Sequence, residues 1–158
     1  MTLIEAAWRP HPETDERLLD LHGYWIKLCR DGDIPALANF KPAAIARLLP
    51  SVAMIDVLEP RDFRIRLAGT ELCQTTGQDL MGQRIGEIFP PDYHGEVLEH
   101  WNSVVERRQA KWARARMWIP EKAYLNWQGV ALPLRGEDGA VIRLAAAAVF
   151  HAAASKAA

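Results

Sequence analysis

Residues 52–70 read VAMIDVLEPRDFRIRLAGT, and two extended segments divided by a turn can be read from them. Val52 to Leu58 is apolar and β-branched enough for a buried strand. Glu59-Pro60-Arg61-Asp62 carries turn chemistry, and Phe63, Ile65 and Leu67 then alternate with Arg64 and Arg66, the period-two pattern of a half-buried strand. The spacing predicts an antiparallel hairpin near the start of a sheet. What precedes it reads as helix, and the end of the chain reads as strand.

Working back toward the start, a short helix is expected after Pro42, with Ile45, Leu48 and Leu49 as its apolar side and Pro50 as its stop. Before it, Leu18, Leu21, His22, Trp25, Leu28 and Cys29 repeat at helical spacing. Thr14 is expected to cap this amphipathic helix, and Asp15 and Glu16 suit its positive end. Gly32 is the expected left-handed stop. Residues 1–13, with two prolines and no clear period, read as a poorly ordered arm.

Working forward, residues 70–91 hold short helical pieces broken by glycines and by Pro90-Pro91. A longer helix follows, capped by Asp92, with Val97, Trp101, Val104, Val105 and Arg108 on its buried side. Three strands are expected to close the domain: Trp112 to Ile119, Tyr124 to Leu134, and Val141 to Phe150, the last two joined by a turn over Arg135–Gly139. Ala145 to Ala148 favours helix by propensity, but its position after a hairpin turn, with Val141, Ile142, Val149 and Phe150 around it, argues strand. The order defines one α+β domain over residues 14–150: an N-terminal amphipathic helix and five antiparallel strands with helices inserted after the second. Residues 151–158 read as a tail.

Composition bounds the function. The chain has 158 residues, 49% hydrophobic and 25% charged, with a formal net charge of −1. That describes one folded domain with no long-range pull toward nucleic acid or an anionic membrane. No apolar run approaches the roughly 18 residues of a membrane span. Two distant cysteines, Cys29 and Cys73, and no signal-peptide pattern lead us to expect a reducing cytoplasm.

The element order and several motifs resemble the PAS family, in particular the single-domain PAS proteins common in alphaproteobacteria. The residues that carry the resemblance are His22-Gly23-Tyr24-Trp25, Leu48-Leu49-Pro50 and, most distinctively, Phe63-Arg64-Ile65-Arg66-Leu67-Ala68-Gly69-Thr70. Gly77 to Gly82, Ile88-Phe89-Pro90 and Leu132-Pro133-Leu134 complete it. The resemblance implies the PAS fold and a non-catalytic sensory module that binds a small ligand, a protein partner or both, and signals through its N-terminal helix or a dimer interface. A ligand-free docking adaptor of the same fold is the alternative. Since the sequence as given holds no kinase, cyclase or DNA-binding segment, a separate signalling protein is the expected readout.

No cofactor is predicted, while the resemblance leaves haem and flavin open. The flavin photosensor branch needs a cysteine within Asn-Cys-Arg-Phe, whereas Cys73 lies in Glu71-Leu72-Cys73-Gln74 and reads as a small core residue. The haem branch needs a histidine facing the cavity. His94 and His100 fall on the long helix, His100 off its apolar stripe, and both read as solvated or capping. A cavity between the sheet and the short helices is expected to be lined by Met54 or Ile55, Ile65, Cys73, Trp101, Met117, Asn126, Gln128 and Ala146.

Other chemistry lacks its residues. No serine sits in a nucleophile elbow, the histidines have no metal-ligand spacing, and the glycines form no phosphate loop, so no enzyme and no metal site are expected. A basic run from Arg107 to Lys122, interleaved with Trp112 and Trp118, can grip single-stranded nucleic acid or simply lie along an exposed sheet face; the near-zero net charge favours the latter. Trp112, Arg114, Arg116 and Trp118 on one strand face have the composition of an interface core. With Leu18, Leu21, Trp25 and Leu28 of the first helix, they lead us to expect a homodimer.

Overall fold

The computed structural model describes residues 2–59 and 61–153. Pro60 of the expected turn and residues 154–158 of the expected tail lie outside the described residues. Six strands form one sheet: β1 (Ile4–Ala7), β2 (Val52–Leu58), β3 (Asp62–Ala68), β4 (Lys111–Arg116), β5 (Leu125–Arg135) and β6 (Val141–Ala152). Their order is β1-β4-β5-β6-β2-β3, and every pairing is antiparallel. Four α-helices, α1 (Glu16–Leu28), α2 (Thr70–Thr76), α3 (Ile85–Ile88) and α4 (Pro91–Arg107), and a 3-10 segment over Pro42–Ser51 cover it.

Both faces of the sheet's central strands are buried. On one, Leu72 of α2, Ile85 and Ile88 of α3, and Val97 and Val104 of α4 pack on Ile55, Phe63, Ile65, Ala131 and Leu144. On the other, Leu18, Leu21 and Trp25 of α1, with Ile45 and Leu48, pack on Val130, Leu132, Leu134, Ala145, Ala147 and Val149. β6 therefore alternates between two cores: Ala145, Ala147 and Val149 toward α1, and Ala146, Ala148 and Phe150 toward α2–α4. That double burial resolves the alanine run as strand. Small side chains let helices approach both faces, and the ladder to β2 and β5 overrides helical propensity.

The expected arm is a strand in its middle. β1 pairs with β4, Ile4 opposite Ala115 and Ala7 opposite Trp112. Glu96 of α4 accepts from the Leu3 and Ile4 amides at 2.9 and 3.0 Å. Four residues are too few for a visible period, so the strand is specified by its partners. The sheet accordingly has six strands rather than five. At the other end β6 continues to Ala152, two residues past the expected boundary.

Local signals shift by small, explicable amounts. Asp15, not Thr14, caps α1: its carboxylate accepts from the Arg17 amide at 2.9 Å, while the Thr14 hydroxyl turns back to donate to the His11 carbonyl. α1 ends at Leu28, before Gly32, because the Cys29 amide already closes on the Ile26 carbonyl; Asp31 and Gly32 then take positive φ in a tight turn. Asp92 sits inside the first turn of α4, behind Pro90 and Pro91, and Arg108 is the left-handed stop of that helix rather than part of its stripe. In the hairpin a register shift sets Met54 opposite Leu67 but Ile55 opposite Ile65. Arg66 is thus the extra residue of a bulge, and Leu67, expected inside, is 52% exposed. β4 ends at Arg116, not Ile119; Met117 keeps one amide bond to the Leu125 carbonyl, and Trp118 leaves the ladder.

Candidate functional site

A cavity of about 120 Å³ lies between the sheet and α2–α4. The sheet supplies its floor: Ile55 from β2, Ile65 from β3, Ala113 from β4, Trp127, Gly129 and Ala131 from β5, and Ala146, Ala148 and Phe150 from β6. Small residues at Gly129, Ala131, Ala146 and Ala148 leave the volume open. A Cβ at Gly129 would come within 3.0 Å of the Ala147 carbonyl and 3.2 Å of the Trp127 ring. The roof is Leu72 and Thr76 of α2, Ile88 and Phe89 at the end of α3, and Val97, His100 and Trp101 of α4. Ile4 of β1 and Trp118 close the sides.

One end of the cavity is an aromatic cluster. Phe89 meets Trp118 edge-on at 4.7 Å and stacks with Tyr93 at 5.9 Å. The Tyr93 hydroxyl donates to the Arg116 carbonyl at 2.8 Å and accepts from Trp127 Nε1 at 2.9 Å, and burial pushes its pKa up to about 12. Thr76 is satisfied too, donating to the Leu72 carbonyl. Two polar atoms on the wall residues are not: Trp118 Nε1 and His100 Nδ1 are buried without a hydrogen-bond partner among the described residues. His100 is only 7% exposed. Burial, helped by the charge of Lys111, holds its pKa down at about 3, so the imidazole is neutral in any physiological buffer.

Of the expected cavity residues, Ile65, Trp101 and Ala146 stand in the wall. Met54 faces the α1 side, and Ile55 takes its place. Cys73 packs beside the helical core without reaching the wall. Met117 is buried outside it, and Asn126 lies opposite His151 in the ladder. Gln128 points toward α1, accepting from the Asp15 amide at 2.7 Å and donating to the Glu13 carbonyl. The reason is parity: on β5 the odd positions Trp127, Gly129 and Ala131 face the cavity. His100, expected to be solvated or capping, is buried in the wall, and with Trp118, Trp127, Phe89 and Gly129 it was not legible as a cavity residue.

The expected interface residues are largely internal to the protomer. Leu18, Leu21 and Trp25 are buried under α1, and Trp25 Nε1 donates to the Pro133 carbonyl at 2.9 Å. Leu28 packs against the same cluster. Trp112 lies under that helix with its ring against His22. Arg114 pairs with Glu5 of β1, Arg116 is exposed at the end of β4, and Trp118 is in the cavity wall on the other side of the sheet. The stripe on α1 therefore covers its own sheet, and the four β4-region residues do not share a face. The basic run is similarly engaged: Arg107 and Lys111 lie over the Trp8 ring, Arg108 reaches Asp33 and the Gly139 carbonyl, and Lys122 donates to the Thr75 carbonyl.

Flavin and haem do not fit this site. The cavity has the size of a one-ring compound, far below a porphyrin or an isoalloxazine, and no cysteine stands in its wall. Among the described residues no group of three or more potential metal ligands comes together, and no helix is long and apolar enough to cross a membrane.

A two-faced antiparallel sheet with a cavity under its inserted helices defines a PAS-type domain. The PAS domain family profile matches residues 14–148, and the chain belongs to that family. Among solved structures, an RNA-binding light-oxygen-voltage receptor is similar with 16% sequence identity and a TM-score of 0.50, over 77% of this chain and 35% of that one. The chain thus spans about a third of that receptor chain, and the likeness is one of fold. No curated protein matches. Membership supports a sensory signalling role in general, in a family whose domains commonly mediate protein interactions and dimerise.

Proposed function

We propose that this protein is a non-catalytic sensor that takes a small molecule into the cavity between the sheet and α2–α4 and passes the change to a protein partner through α1. The observation that carries the reading is the cavity itself, a half-open apolar space with polar atoms left unpartnered on its wall residues. β5 and β6 supply the route. Their side chains alternate between the cavity and the underside of α1, so a ligand that shifts Ala146 or Phe150 also bears on Ala147 and Val149 beneath the helix. The outward side of α1 offers Leu19 and Ile26, 41% and 50% exposed, to a partner or to a second copy. Two free thiols favour a cytoplasmic setting. The RNA binding of the similar receptor is not carried over, because most of the basic run is taken up by internal contacts.

Native mass spectrometry of the purified protein tests the reading. A small co-purifying mass, with hydrogen exchange in α1 slowed when it is present, is the expected result, and the same spectrum gives the oligomeric state. Exchange in α1 that does not respond to any cavity occupant would instead support the ligand-free docking adaptor, which the exposed Leu19 and Ile26 would equally serve.

A further inference from the structure

We propose that the cavity takes a neutral, single-ring aromatic compound bearing a hydroxyl group, held by Trp118 and His100. The inference rests on the reading of the cavity as a ligand site and names the ligand's chemical class.

Size sets the first limit. A cavity of about 120 Å³ is close to the apolar cavity of about 150 Å³ that takes up benzene. One ring fits; a nucleotide does not. The wall sets the second. Phe89, Trp101, Trp118, Trp127 and Phe150 offer rings to a ring, while Ala and Gly on the floor leave a flat space. Charge sets the third. No Lys, Arg, Asp or Glu lines the cavity, so a carboxylate or ammonium would be buried with no counter-ion.

The polar atoms supply the last limit. In the same wall Thr76 and Trp127 already have their hydrogen bonds, while the buried atoms Trp118 Nε1 and His100 Nδ1 have no partner among the described residues. An indole N–H can only donate, and a neutral imidazole nitrogen without its proton can only accept. A hydroxyl accepts from the first and, being both donor and acceptor, meets the second in either tautomer. A carbonyl or halogen could satisfy Trp118 but not a His100 nitrogen that lacks its proton. A lone water could meet the same two atoms but would leave the aromatic remainder of the space unfilled.

Calorimetric titration with phenol, benzene, benzoate and cyclohexanol, alongside xenon detected by NMR, tests this. Phenol should bind about fivefold or more tighter than benzene, the margin of one or two modest hydrogen bonds. Benzoate should not bind, and cyclohexanol should bind less well than phenol. Trp118→Phe or His100→Leu should shrink the preference for phenol over benzene. Benzoate or cyclohexanol binding as well as phenol, or a preference untouched in both variants, would overturn the ligand class. Xenon uptake without phenol binding also overturns the class while leaving the cavity as a ligand site. Exclusion of xenon and of every aromatic would instead remove the cavity reading on which the class rests.

Discussion

His100 and Asp15 are tied to the fold through their protonation, in adjacent pH windows. The His100 imidazole is held neutral, its pKa lowered to about 3 by burial and then by Lys111. Between the ordinary histidine value and about 3 the unfolded chain binds a proton that the folded chain refuses, so stability is full above that range and falls as pH drops through it. The slope is at most about 1.4 kcal/mol per pH unit. Asp15 acts lower down. The hydrogen bond from Arg17 outweighs burial and brings its pKa to about 2, so its contribution is present above about pH 4 and lost on approach to pH 2. Denaturant titrations from pH 7 to pH 4 should therefore show a progressive loss that is flattened in His100→Leu and retained in Asp15→Asn. Replacing Asp15 by Ala removes the α1 cap as well, and should cost about 1 kcal/mol at neutral pH.

At the scale of elements, the motif that carries the family resemblance has a mechanical basis. Gly69 ends β3 where its amide donates to the Val52 carbonyl at 2.8 Å, and a Cβ there would run into the backbone of Leu49 and Pro50. The two motifs, Leu48-Leu49-Pro50 and Ala68-Gly69-Thr70, are thus two sides of one contact. Gly69→Ala must move backbone rather than a flexible tip, and should cost at least the 1–3 kcal/mol typical of overpacking, read as a lowered denaturant midpoint. β1 is held differently, by Glu96 on its first amides and by pairing along one edge. Glu96→Ala should speed exchange of the β1 amides about tenfold or more, the worth of hydrogen bonds to a charged acceptor, and leave β5 and β6 unchanged. The contrast explains what could be read in advance. The hairpin, the long helix and the closing strands announce themselves by period and turn chemistry. β1 has no such signal, because its existence depends on Glu96 and β4, over 90 residues away. The cavity was legible only in part for a related reason. When both faces of β5 are apolar, alternation says which residues share a face but not which face is which, so in the sequence Gln128 is as good a cavity residue as Trp127.

For the whole molecule, the consequence is a sheet whose central strands have no spare face. Its outer side would be an extended apolar surface of Leu132, Leu134, Ala145 and Val149 were α1 not laid across it. That arrangement bears on self-association, which the first helix was expected to mediate through Leu18, Leu21, Trp25 and Leu28. Those side chains are already committed within the protomer, so a dimer formed by the native fold must use what remains outside, and on α1 the exposed apolar side chains are Leu19 and Ile26. Trp25 separates the two cases. Truncation to Ala removes a buried indole and its bond to Pro133, and should cost about 3–5 kcal/mol. It also loosens α1 from a large apolar surface, which favours association. Trp25→Ala should therefore sediment as larger species than the wild type at equal concentration, with a lowered thermal midpoint. Ile26→Glu should leave the midpoint close to wild type and weaken any native dimer. If Trp25→Ala instead lost a wild-type dimer and stayed a folded monomer, the buried stripe of α1 would have to be reassigned from the protomer's own core to a subunit interface.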